Sequence, residues 1–424
     1  MNRYKLKTTI LLSIVMLLGC FICGCSKVES NVKENIEINK IVFSWWGNDP
    51  RHLYTMEGVD EFMMENPDVR VEYKYGIWNG YETRNRVFMK SHTEPDVMQI
   101  NYGWLSQYSP NGEGYYDLYE LTDYIDLSGY NEIDLNFGTV KGKLNALPIA
   151  YNSVVTYYNK DIYDKYGLDI PETWDDLFEA ARVMREDGIY PIGGVKKHVF
   201  MLLSAYYEQT KGESVFDENG VCQLDIDEMA YILDFYKRLI DEKVLIPIDQ
   251  FDRNLLSTGE LAGAIFWISD IDNYCSSIAE TGTPSLGKYL TNKPGDTVTG
   301  WYKKPATMYA ISVGSEHPDA AARLLNYLVN DPKMAVLQAT EKGIPVSIHA
   351  IKAIEDAGLL EGYSVDANNQ MVEAGDSLTI MIPAMEDDSI IDIFKTNADS
   401  YIYEKVTLEV AAQKILDFVH NVNE

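Results

Sequence analysis

Between residues 40 and 100 the chain repeats one pattern, and that pattern leaves few folds open. Residues 40–46 (KIVFSWW) form an apolar run without clean alternation, as expected of a strand buried on both faces. Residues 51–65 follow, with Met56, Val59, Phe62 and Met63 at helical spacing and a stop at Asn66-Pro67. Val69, Val71, Tyr73 and Tyr75 alternate as a second strand, residues 80–90 read as another helix, and 96–100 (DVMQI) read as a third strand. Strand, helix, strand, helix, strand calls for right-handed crossovers and a mostly parallel sheet. The expected class is α/β.

A second segment of the same kind starts at the strand 151–159 (YNSVVTYYN). A helix over 170–187 is capped by Thr173, with Trp174 as a packing residue at its start. Asp217-Glu218-Asn219-Gly220 turns a small hairpin between 214 and 224, and a helix spans 226–242. Gly263 to Trp267 is a short buried strand, 308–314 a further strand, 318–330 a helix, and 388–422 a helical carboxy terminus. No internal repeat or low-complexity stretch interrupts this series, and 424 residues suit two or three domains.

Ligands of open parallel sheets bind outside the carboxyl ends of the strands. There the chain puts Trp45-Trp46-Gly47-Asn48-Asp49, then Ile77-Trp78-Asn79-Gly80-Tyr81, then Asn101-Tyr102-Gly103-Trp104, and later Trp267 with Asp270. Five of the seven tryptophans therefore follow a predicted strand end, next to Asn, Asp or Tyr. Flat aromatic faces beside short polar groups suit a sugar. Each ring removes apolar C–H surface from water at roughly 25 cal/mol per Å². Asn and Asp satisfy hydroxyls whose unpaired burial would cost about 1–3 kcal/mol. Arg51 can donate to hydroxyl oxygens or to an acidic group on a ligand. Trp45 shares the face of Ile41 and Phe43 and is expected in the core.

The amino terminus carries Arg3, Lys5 and Lys7 ahead of an apolar run at 9–22, too short for a membrane span and suited to a signal peptide. Ile22-Cys23-Gly24-Cys25 resembles the lipobox of bacterial lipoproteins, with Cys25 as the lipid-bearing residue; an ordinary secretion signal is the alternative. A polar tether, 26–38, follows. Loss of residues 1–24 leaves 33 basic residues against 65 acidic ones, a formal charge of −32. That acidity argues against nucleic acid and against adsorption to anionic headgroups. Beyond the anchor only Cys222 and Cys275 remain, as one disulfide or two lone thiols.

Taken together, the segments FSWWGNDPRHLYTMEGVDEFMMENPDVRVEYKYGIWNGY, EPDVMQINYGWL, LNALPIAYNSVVTYYNKDIYDKYGLDIPETWDDL, LSTGELAGAIFWISD and EKGIPVS resemble the extracellular solute-binding proteins of carbohydrate ABC transporters, the group related to maltodextrin-binding protein. The resemblance implies a type II periplasmic-binding-protein-like fold, two α/β lobes around a cleft: 39–150 with about 306–355, and 151–305 with about 356–424. It also implies capture of an oligosaccharide by lobe closure, delivery to permease subunits in the membrane, a monomeric state and no cofactor or metal. By position, Asn48, Asp49 and Arg51 match the family's first polar cluster, and Asn101 and Tyr102 follow its third strand. Asn152 matches a ligand-contacting position that is acidic in maltodextrin binders. Trp267 and Asp270 match the cleft edge of the carboxy-terminal lobe, and Trp301 and Tyr302 the vicinity of the second crossing. The rival readings are a secreted lyase or glycoside hydrolase, and a binder of a non-sugar solute. HExxH, GxSxG, P-loop and zinc-spaced Cys/His motifs are missing from the sequence.

Overall fold

Asn39–Trp46 (β1) pairs in parallel with Val69–Gly76 (β2) and with Val97–Ile100 (β3), and the helices Asp49–Glu65 (α1) and Trp78–Ser91 (α2) make the crossovers. The computed structural model describes residues 37–217 and 219–421, so the expected signal peptide, the expected lipid-bearing Cys25 and the expected tether up to residue 36 lie outside the described residues. Helix α1 starts where local chemistry favours it. The Asn48 side chain accepts from the Arg51 N–H at 3.1 Å, Pro50 occupies the first turn, and Asp49 faces the positive end of the helix dipole.

The strands Leu147–Asn159 (β4), Gly263–Trp267 (β5), Pro284–Gly287 (β6), Tyr302–Ile311 (β7) and Thr379–Ile380 (β8) complete one eight-stranded sheet. Its order is β2-β1-β3-β7-β4-β5, with β6 on β4 and β8 on β7. The expectation of a mostly parallel sheet is corrected here: β3–β7, β4–β7, β4–β5 and β4–β6 are all antiparallel. The crossover helices dictate direction only among β1, β2 and β3; β7 returns from the far half of the molecule and runs the other way.

The strand expected at 308–314 begins earlier, at Tyr302. Lys303-Lys304-Pro305 hides its start, because proline removes a ladder donor and interior strands seldom carry paired lysines. The fold accommodates Pro305 opposite Tyr151, beside a register irregularity between Ala150 and Tyr151.

Helix Trp174–Met184 (α3) opens on a capping box: Thr173 Oγ1 accepts from the Asp176 N–H, and the Asp176 carboxylate accepts from the Thr173 N–H at 2.9 Å. Residues 170–172 lie before that cap, so the helix is shorter than its periodicity suggested. Helix Lys196–Lys211 (α4) was missed in the sequence, because it is buried on most faces, His198, Ser204 and Glu208 included, and shows no single apolar stripe, whereas Ile226–Asp241 (α5) and Pro318–Asn330 (α6) fall where expected. The carboxy-terminal helix is in fact two, Asp388–Ile402 (α7) and Leu408–Val419 (α8). The hairpin at 214–224 reduces to a single bridge between Phe216 and Cys222. Cys222 and Cys275 are buried free thiols.

Two lobes are visible in the packing. One large core gathers residues from Val154 to Tyr302 and from Ala367 to Val419. The other lobe packs the two faces of β1 and β3: Phe43, Trp45, Tyr309 and Leu324 on one side, Tyr81, Met98, Trp104 and Met308 on the other. Strands β4 and β7 belong to both lobes. Leu147 and Ile149 lie in the core around β1 and β3, the first lobe, and Val154 to Tyr158 in the large core, the second; Tyr309 lies in the first and Tyr302 in the second. Among the described residues no helix is long and apolar enough to cross a membrane.

Candidate functional site

Side chains alternate across a strand, so Trp45 and Trp46 face opposite ways. Trp45 is fully buried, its ring stacked 4.8 Å from Phe43 and its indole N–H donating to His52 Nδ1 at 3.1 Å. Trp46 points to the other face and meets Trp78 at 5.0 Å, Tyr81 at 5.2 Å and Trp104 at 6.0 Å between ring centroids. Trp104 lies nearly parallel between Trp78 and Tyr81, each 6.0 Å away. A column of rings results, with Trp46 edge-on beside it and Trp78, 45% exposed, at its outer end. A break in α2 aims Trp78: Asn79 and Gly80 leave helical geometry, and Gly80 has φ +84° with open space where a Cβ would stand.

Tyr81 requires a correction. The sequence placed it among ligand contacts, but it is 3% exposed, its hydroxyl donates to the Gln99 carbonyl and it shares a hydrogen bond with Ser44 Oγ. It supports the column from beneath.

Two cavities open between residues of the two lobes. One, of about 810 Å³, is lined by Asn101, Trp104 and Gln107 from the first lobe and by Pro383, Glu386 and Asp387 from the second. The other, of about 680 Å³, is lined by Tyr102 and Ile133 on one side and by Phe216, Tyr302, Lys303 and Thr379 on the other. Both sizes fall in the range typical of small-ligand sites, about 300–1,000 Å³. Asn101 Oδ1 accepts from the Gly103 N–H at 3.0 Å, which fixes the loop that carries Tyr102 and Trp104. Tyr102 packs edge-on to Phe137 at 5.8 Å, and burial together with the Glu386 carboxylate pushes its phenol up to about 12.

Pairing in the sheet shows why the lobes meet here. Thr307 Oγ1 donates to the carbonyl of Ile100, the last residue of β3, at 3.2 Å. Three positions back along β7, Lys304 pairs with Asn152, two residues short of the Val154–Trp267 pair. The ends of the two lobes' strands thus stand five residues, about 17 Å, apart along β7.

At this junction the Lys304 ammonium lies 4.9 Å from the centre of the Trp267 ring and 2.6 Å from Glu386, which also has Lys197 at 3.8 Å. Burial lowers the Lys304 ammonium, an effect the Glu386 carboxylate opposes. His198 meets Trp267 edge-on at 5.5 Å; burial takes its imidazole down to about 3, so it is neutral at physiological pH.

Asn152 is buried, and its amide is occupied by Ser269: Nδ2 donates to Ser269 Oγ at 3.1 Å and Oδ1 accepts from the Ser269 N–H at 3.3 Å. It braces the loop that holds Trp267 and Asp270. Asp270 is solvent-accessible, yet the surrounding protein displaces enough water to raise its carboxyl, which Arg253 and then Arg51 counteract. Arg51 itself donates to the Glu341 carbonyl at 2.5 Å, while Asn48, the cap, and Asp49 are exposed beside it.

Trp301 is the second correction. It is 2% exposed, stacked on Trp174 at 6.2 Å and 13°, and its indole N–H donates to the Leu290 carbonyl at 3.0 Å. A tryptophan just before a strand, rather than after one, packs into the core that the strand closes. Tyr302 lines the smaller cavity, but its hydroxyl donates to the buried Glu208 carboxylate. The sequence reading missed Lys197, His198, Lys303, Lys304 and Glu386. Two consecutive lysines in a strand were the available signal, since alternation sends them to opposite faces and one must enter the protein.

The family model of bacterial extracellular solute-binding proteins matches residues 50–335. The chain belongs to this family. This solute-binding protein is 27% identical over 253 residues to the arabinooligosaccharide-binding protein of Bacillus subtilis, a match covering 57% of this chain and 56% of that protein. The chain thus spans a little over half the length of the curated relatives it matches. Among solved structures the solute-binding protein is similar to a periplasmic solute-binding protein from Pectobacterium atrosepticum, with TM-score 0.84, 29% identity and coverage of 91% of this chain and 98% of that one. It is also similar to an oligogalacturonide-binding protein from Yersinia enterocolitica in complex with saturated digalacturonic acid, with TM-score 0.80, 27% identity and coverage of 90% and 100%.

Proposed function

We propose that this solute-binding protein is the ligand-capturing component of an ABC importer and that its ligand is an oligosaccharide. The observation that carries the reading is the ring column of Trp46, Trp78 and Trp104, of which Trp104 lines the larger of two cavities shared by both lobes. Such a column offers apolar faces to pyranose or furanose rings, and the neighbouring amides and hydroxyls take the sugar's rim. Relatives named for arabinooligosaccharide and oligogalacturonide binding support the ligand class. The two lobes are 39–150 with about 306–355, and 151–305 with about 356–424. The ligand binds one lobe first and draws the other over it, shifting the open–closed equilibrium only by its differential affinity for the two forms.

On this reading Trp46, Trp78, Asn101, Tyr102, Trp267, Asp270 and Arg51 face the ligand, with Trp104, 4% exposed, as the inner ring of the column, Asn48 and Asp49 at the rim and Asn152 as their brace. The protein acts as a monomer without cofactor, metal or catalytic step, is held on the outer face of the membrane by lipid on Cys25, and hands its ligand to permease subunits.

Titration calorimetry with arabino- and galacturono-oligosaccharides tests this. Saturable binding is expected without chemical change in the sugar. Trp46→Ala and Trp267→Ala should each weaken it more than tenfold, about 1.4 kcal/mol, at unchanged melting temperature. Unchanged affinity in both variants overturns the cleft assignment, and appearance of a shortened or unsaturated sugar overturns the non-enzymatic reading.

A further inference from the structure

The smaller cavity contains a cation with no ion-pair partner among the described residues. Among its lining residues the charged ones are Asp217 and Lys303. Asp217 is committed: its Oδ1 accepts from the Asn219 and Val221 N–H groups at 2.9 Å each, closing the turn. Lys303 has one partner among the described residues, the Gly375 carbonyl at 3.4 Å, and no carboxylate at ion-pair distance. An ammonium carries three donors, so two stay open toward the cavity's water. The other lining groups able to hydrogen-bond there, Tyr102, Ser214 and Thr379, are hydroxyls that suit sugar oxygens.

The larger cavity has the opposite character. Glu82, Glu386, Asp387 and Asp388 line it, without a basic residue among the described residues there. Glu386 is shared by Lys304 and Lys197, Asp388 has Lys196 at 3.9 Å, and Asp387 caps α7 by accepting from the Ser389 and Ile390 N–H groups. A carboxylate on a ligand would be repelled there and attracted at Lys303.

From this asymmetry we propose that the oligosaccharide is acidic, a uronic-acid-containing chain whose carboxylate seats against Lys303 while its neutral rim lies toward Glu82 and Asp387. The inference rests on the oligosaccharide-binding reading and narrows it. Closure supplies the discrimination. While the cleft is open, water solvates the Lys303 ammonium. When the lobes close, that water leaves, and an unpaired ammonium in a poorly hydrated site is costly. A uronate replaces the lost water with a charge-assisted pair; a neutral sugar does not. The net charge of −29 on the whole chain does not reverse this preference, since salt confines distant charges to a Debye length of about 8 Å at physiological strength.

The test is isothermal titration of the full chain at pH 7 with digalacturonic acid, with its carboxyl-reduced counterpart digalactose, and with arabinotriose. Digalacturonic acid should bind at least tenfold more tightly than either neutral sugar. Lys303→Met should abolish most of that preference, and Lys303→Arg should keep it, both at a melting temperature close to that of the parent. Equal or tighter binding of a neutral sugar overturns the acidic assignment and leaves the oligosaccharide reading standing. A preference that survives in Lys303→Met overturns the role of Lys303. Silence from all three sugars removes the reading on which the inference depends.

Discussion

Trp45 and Trp46 are neighbours in the chain and face different worlds: one indole is sealed against Phe43 and His52, the other borders the ring column. Strand alternation made that division legible in advance. Lys342 shows what was not legible. It is 2% exposed, and its ammonium donates to Tyr309 Oη at 2.7 Å with the Tyr309 ring beneath it. Burial, with the Arg51 charge adding, takes its pKa down to about 7 from an ordinary 10.5. Between those values the unfolded chain binds the proton and the folded chain does not, so this group adds stability as pH rises from about 7 towards 10, by at most ~1.4 kcal/mol per pH unit. Lys342→Met should erase that slope. Denaturant melts at pH 6.5 and 9.5 should show wild type gaining on the variant at the higher pH, and parallel curves would refute the buried charge. Nothing in EKGIPVS announces a buried ammonium, because burial of a lysine depends on which distant strand covers it. Trp301 went unread for the same reason, as its partners Trp174 and Leu290 come from elsewhere in the chain.

Among elements, the crossover helices α1 and α2 and the capped helix α3 were readable because caps and periodicity are local. Strand β7 was half readable, since Pro305 needs the irregular register of β4 to fit, and that register is tertiary. The start of β7 is held by Tyr302, whose carbonyl accepts from Ser153 Oγ at 2.8 Å and whose hydroxyl donates to Glu208 in helix α4. Burial raises the Glu208 carboxyl to about 7, against an ordinary 4.5. Here the folded form binds a proton that the unfolded chain releases. The stability this confers is complete below about pH 4.5 and is lost as pH rises to about 7, up to ~3 kcal/mol in all. Glu208→Gln holds the neutral form permanently. Its denaturation midpoint should therefore approach or overtake that of wild type between pH 5 and 7.5, and a pH-independent difference would show that Glu208 does not titrate in this range.

For the whole molecule, the two-lobe architecture followed from the resemblance and from the repeated α/β segments, while the mixed sheet did not. Antiparallel pairing between β3 and β7 joins residues more than 200 positions apart, beyond the reach of any local pattern. The aromatic side of the proposed cleft was visible in the sequence because tryptophans after strand ends are conspicuous. Its ionic side was not, because Lys303, Lys304 and Glu386 look like any other charges in a chain that carries 65 acidic and 36 basic residues.

Strands β4 and β7 each run from one core into the other, so neither lobe can lose its order without exposing half of a strand on which the other relies. Heat should therefore melt the pair in concert. A scanning calorimeter should record one endotherm, with calorimetric and van't Hoff enthalpies in agreement, where lobes joined by a slack connector would give two.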